Sequence, residues 1–94
     1  MELIDDQLKA IAVFNSNHDA LQAEKFLKQN QIHIRPIIKP RKISSSCTLA
    51  LEFDMELSQK VIDICFAHKL SLGGIFQKRN EEWLEIQAFN QQSS

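Results

Sequence analysis

The stretch Lys9–Asn15 holds an unbroken apolar run, Ala10-Ile11-Ala12-Val13-Phe14. An amphipathic helix would interrupt such a run every second or third residue, and a half-exposed strand every other one. Continuous apolarity over so few residues fits a central strand that is covered on both faces. The rest of the chain must therefore supply that cover.

Beyond Asn15 the hydrophobic period alternates between helix and strand. Ser16 is a helix-capping residue with Asp19 in the capping-box position. Ala20, Ala23 and Leu27 share a helical face, with Leu21 and Phe26 beside it and a Glu24–Lys28 pair outside. Asn30 is a stop signal. Ile32, Ile34, Ile37 and Ile38 predict a second strand, which Pro36 assigns to a sheet edge because it lacks a backbone donor. Leu49, Leu51 and Phe53 alternate with Thr48, Ala50 and Glu52 in a half-buried third strand. Asp54 is the expected cap of a second helix, with Leu57, Val61, Ile64, Cys65 and His68 on one stripe. Gly73-Gly74 is read as a break before a fourth strand, Ile75-Phe76-Gln77. Residues 79–89 fit a strand or a helix; the alternation of Leu84, Ile86 and Ala88 favours a closing strand.

The predicted order is β-α-β-β-α-β with a short C-terminal appendage. Its two-layer solution is an α+β ferredoxin-like sandwich, two helices on one face of an antiparallel sheet. Ninety-four residues make a single domain, 1–94, with a core at about 9–78 and a polar tail, 90–94, expected to fray.

Whole-chain properties exclude several classes. The formal net charge of -1 shows no basic excess for nucleic acid. The third strand lacks the paired aromatics on which an RNA-recognition motif stacks bases. No apolar run approaches the roughly 18 residues of a membrane span. The acidic start Met1-Glu2-Leu3-Ile4-Asp5-Asp6 is unlike a signal peptide. Two cysteines are too few for a disulfide scaffold and lack zinc-ligand spacing, so a reducing cytoplasmic setting is expected.

The predicted topology gathers chemistry at one sheet end. Strand one ends there, helix one begins there, and the loop from Lys39 to Ser46 leads there into strand three. Asn15, Ser16, Asn17, His18, Arg41, Ser44, Ser45, Ser46 and Cys47 fall on this edge, and Cys65 or His68 approaches it from helix two. A helix N-terminus and the basic residues Lys39, Arg41 and Lys42 would favour thiolate over thiol at Cys47. Ser44, Ser45 and Ser46 could cradle an anion, and His18 could pair with the thiolate. Cys65, on an apolar helix face, is expected in the core, with a resolving thiol as the alternative.

Residues 18–28, then Ile34-Arg35, then Pro40-Arg41-Lys42-Ile43-Ser44-Ser45-Ser46-Cys47 resemble the selenium/sulfur carrier protein-like family of small bacterial domains. The resemblance spans roughly residues 10–78, and the Pro-Arg-x-Ile-Ser-Ser-x-Cys run is its specific part. The sequence departs from the family at Thr48, where glycine is usual, and at Ile38, where proline is common. The resemblance implies a carrier that holds sulfur or selenium on Cys47 as a persulfide or selenopersulfide. Such a carrier passes its cargo from a donor protein to an acceptor protein. It is a co-substrate more than an enzyme and needs no cofactor or metal. The alternative is a small-molecule, anion-binding or protein-interaction module of the same fold. An exposed sheet edge leaves room for a homodimer.

Overall fold

The computed structural model describes residues 9–43, 47–79 and 82–88. Strand β1 (Lys9–Phe14) leads into helix α1 (Asn17–Gln29), then β2 (Arg35–Ile38) and β3 (Leu49–Asp54). A short 3₁₀ turn (Met55–Leu57) precedes helix α2 (Ser58–Ala67), and β4 (Leu72–Arg79) and β5 (Glu82–Ala88) complete the elements among the described residues. The strands form one sheet in the order β2-β3-β1-β4-β5, each neighbouring pair antiparallel. The first four strands and two helices make the ferredoxin-like βαββαβ core, and β5 extends the sheet beyond β4.

β1 lies at the centre and is covered on both sides, as its apolar run requires. Ala10, Ala12 and Phe14 join the helix-side core with Ala20, Ala23, Leu27, Leu51, Phe53, Val61, Leu72 and Ile75. Ile11 and Val13 face the other way and pack with Ala50 and Ile43, flanked by Ile37, Phe76 and Trp83. Side chains of the strands and of the 39–43 loop therefore roof the helix-free face. Full burial of one large core side chain such as Leu27 or Phe53 stabilises the fold by roughly 2 kcal/mol.

β2 is the edge strand that Pro36 demands. Lys9 pairs with Asp54 at 2.9 Å, and Arg35 with Glu52 at 3.1 Å. Both are directly opposite cross-strand partners, the positions at which unlike charges help register.

Two sequence expectations are corrected, and one open choice falls to the favoured side. Gly73-Gly74 does not break the chain; both residues lie inside β4. The register between β1 and β4 shifts at Val13/Phe14, and that between β4 and β5 at Ile75/Phe76, so neighbouring backbone crowds the glycines. A Cβ on Gly73 would stand 3.2 Å from the Val13 carbonyl oxygen, and one on Gly74 3.2 Å from that of Gln87. Asp54 stands before the 3₁₀ turn but makes no side-chain cap, because its carboxylate is taken by Lys9. The 79–89 ambiguity resolves as strand β5.

Candidate functional site

The site is built at the start of α1. Ser16 is extended (φ -149°, ψ 154°) and its hydroxyl accepts from the Asp19 amide at 3.1 Å, an N-cap. The Asp19 carboxylate does not return to the cap. It accepts from the amide of Ser71 at 2.9 Å and from the Ser71 hydroxyl. These two bonds, the hydroxyl first, hold the Asp19 carboxyl below the usual carboxylate range, and a smaller contribution comes from His18. Asn15 donates its amide to the Ser71 carbonyl at 2.9 Å, so the approach to β4 is tied to the start of α1.

The approach to β3 is tied there as well. The Asn17 side-chain oxygen accepts from the amide of Thr48 at 2.9 Å and from the amide of Leu49 at 3.3 Å. It also accepts from the Thr48 hydroxyl at 3.2 Å and from the Cys47 thiol at 3.3 Å. The Cys47 thiol also lies 2.9 Å from the Leu49 carbonyl oxygen. In both contacts the thiol is the donor and an oxygen accepts. Cys47 has no exposed surface and belongs to the helix-side core.

Upstream, Lys39 closes the loop onto itself. Its amide donates to the Thr48 carbonyl at 2.7 Å, and its ammonium reaches the carbonyls of Pro40 and Ile43. Ile43 is buried on the helix-free face, whereas Cys47 is buried on the helix face. Arg41 and Lys42 are exposed on the turn, and Ser44, Ser45 and Ser46 lie outside the described residues.

His18 is exposed, its Nδ1 3.4 Å from Asp19 Oδ1. Cys65 is buried in the same core cluster as Cys47, and burial pushes its thiol up to about 12. His68 stacks on Phe26 with ring centroids 3.7 Å apart and belongs to the helix–helix seam. A hollow of about 420 Å³, lined by Lys9, His33, Ile34, Arg35 and Glu52, sits at the opposite end of the strands. Among the described residues no group of three His, Cys, Asp or Glu side chains is arranged to hold a metal ion.

A family model described as "Putative Se/S carrier protein-like" matches residues 9–77. The chain belongs to that Se/S carrier protein-like family. No curated protein and no solved structure matches it. The family match takes in β1 through most of β4, including Asn17, Arg41 and Cys47, and ends before β5. No helix among the described residues of this Se/S carrier-like chain is long and apolar enough to cross a membrane.

The structure brings together Cys47, Asn17 and the first turn of α1, with His18 one residue further on. Asn17 is the residue that the sequence placed on this edge without a role. Its signal was its position at the first helical residue, facing a strand start on the neighbouring antiparallel strand.

Proposed function

We propose that this domain carries sulfur or selenium on Cys47 and hands it from a donor protein to an acceptor protein. The family match over residues 9–77 is the observation that carries the reading. Cys47, held where three segments meet, is the sulfur that serves it. In the loading step the Cys47 sulfur attacks the outer sulfur of a donor persulfide. The donor S–S bond breaks, and its electron pair leaves with the donor sulfur, which takes up the proton that Cys47 gives up. One thiol and one persulfide are consumed and one of each is formed, so no outside oxidant or reductant enters. Delivery repeats the exchange in the other direction, to the acceptor's nucleophile. Exposed His18, next to Asn17, and exposed Arg41 and Lys42, on the turn upstream of Cys47, offer a partner polar and basic groups.

The full burial of Cys47 also favours a second reading, in which the cysteine is a packing residue and the 39–43 loop binds an anionic ligand or a protein. One experiment separates the two. The chain is incubated with a cysteine or selenocysteine desulfurase and its substrate, and its intact mass is measured. The carrier reading expects a gain of one sulfur or selenium atom that a reducing thiol removes and that Cys47→Ser abolishes. No gain, or an adduct that survives Cys47→Ser, points to the binding module.

A further inference from the structure

The contacts of Asn17 contain a constraint on when Cys47 can react. A carbonyl-type oxygen has two lone pairs, and that of Asn17 is shared among four donors of residues 47–49. Two of these donors are backbone amides, and they fix which end of the carboxamide faces the segment. Turning the side chain over would set its NH₂ against the amides of Thr48 and Leu49, donor against donor. The oxygen is therefore the end that faces the Cys47 sulfur, at 3.3 Å, with the Leu49 carbonyl oxygen on another side at 2.9 Å.

The Cys47 sulfur has no exposed surface through which a second sulfur could arrive. Release of residues 47–49 from Asn17 removes that obstacle.

We propose that Asn17 is the positioning residue of the site, a latch that keeps the Cys47 segment docked with its sulfur covered, and whose release presents the sulfur for exchange. What the presented sulfur then does rests on the carrier reading; the latch itself does not.

The test is alkylation of the native full chain by iodoacetamide near neutral pH, followed at each cysteine by mass spectrometry. Cys65, buried in the same core, reports global opening. Asn17→Ala is expected to speed labelling of Cys47 roughly tenfold, the factor matching the loss of about 1.4 kcal/mol of net hydrogen bonding, with Cys47 labelled well ahead of Cys65 in both proteins, because global opening loses the same bonds and rises by the same factor. Asn17→Asp still accepts from the same amides and hydroxyl, and is expected to hold Cys47 at or below its original rate. Equal rates in Asn17→Ala and the unaltered chain overturn the proposal. So does labelling of Cys47 no faster than Cys65 in both proteins, which ties its exposure to global opening and marks Asn17 as merely structural. Should Asn17→Ala not fold, amide hydrogen exchange in the unaltered chain decides. Thr48 and Leu49 amides that exchange more readily than those of β1 support a latch; exchange only with global unfolding overturns it. Neither measurement uses a sulfur donor, so the latch stands or falls apart from the carrier reading.

Discussion

Asp19 ties the start of α1 to Ser71 through one carboxylate, and its behaviour with pH is set by the two bonds it accepts from Ser71. Its folded pKa lies below the ordinary value of 3.8, so the unfolded chain binds the proton more readily. The stabilisation is complete above pH 3.8 and is lost as pH falls through the lower folded value. Asp19→Asn should therefore cost roughly 1 kcal/mol near neutrality, where it removes the charge-assisted part of the bonds. The two proteins should converge in acid; urea midpoints across the range would show this, and a constant gap would refute it. Cys65 behaves in the opposite sense. Its folded value, about 12 against an ordinary 9.0, means that the unfolded state alone ionises between the two, so stability falls as pH rises through that window. Cys65→Ala should flatten the alkaline decline, and an unchanged slope in alkaline melting curves would locate the loss elsewhere. Residue-level chemistry was the least legible layer of the sequence. A serine-rich basic run around Cys47 reads as an exposed loop, yet the thiol turns into the core with no exposed surface. Asn17 reads as an unremarkable first helical residue because its four donors lie about thirty positions downstream, as the separation of 30 for the sulfur shows.

The two helices end in the same way, and both ends carry strain. After α1 the amide of Gln31 bonds the Lys28 carbonyl at 2.9 Å and the amide of Ile32 bonds that of Leu27 at 3.0 Å. After α2 the amide of Lys69 bonds the Phe66 carbonyl at 3.0 Å and the amide of Leu70 bonds that of Cys65 at 2.9 Å. These are Schellman ends, which need a left-handed residue, and Gln31 (φ 62°) and Lys69 (φ 58°) occupy it where glycine is usual. A non-glycine residue there costs about 1 kcal/mol or a little more. Gln31→Gly and Lys69→Gly should each stabilise the fold by roughly 0.5–1 kcal/mol, since part of the gain is offset by the freer unfolded chain. Higher melting temperatures for both variants would bear this out, and lower ones would show that the side chains make contacts worth more than the strain. Elements were far more legible than residues. The start of α1 at Ser16, its end at Asn30 and the edge place of β2 are all local signals, set by a hydroxyl, an amide and a missing N–H. The glycine pair in β4 misled because its cause is non-local: crowding by Val13 and Gln87 on flanking strands.

At the scale of the whole molecule the question is whether β5 belongs to the same cooperative unit as the family core, since the family match ends at residue 77. The sandwich follows from alternating periods and short connections, which leave few topologies, and so it was readable in advance. β5 was not fixed by that logic, because a strand added to a sheet edge satisfies no core strand that the pattern leaves incomplete. Its packing argues for unity. β5 pairs with β4 from Gly74↔Ala88 to Arg79↔Glu82 and covers the edge that β4 would otherwise expose. Trp83 packs against the cluster that roofs Ile11 and Val13 of β1, with the Lys78 ammonium 5.9 Å from its ring centroid. Leu84 and Ile86, which alternate with it, remain 42% and 45% exposed, so β5 contributes one packed side rather than two. Peeling it away would uncover Phe76 and open the helix-free face over the central strand, a loss shared by the whole sheet. Trp83 is the chain's single tryptophan, which makes its fluorescence a reporter of β5 alone, while far-UV circular dichroism reports both helices and the full sheet. In a denaturant titration the two signals should give one coincident transition with the same midpoint and slope, as a two-state domain of this size does. A tryptophan transition at lower denaturant would instead show β5 detaching first, leaving the family core to unfold as a separate unit.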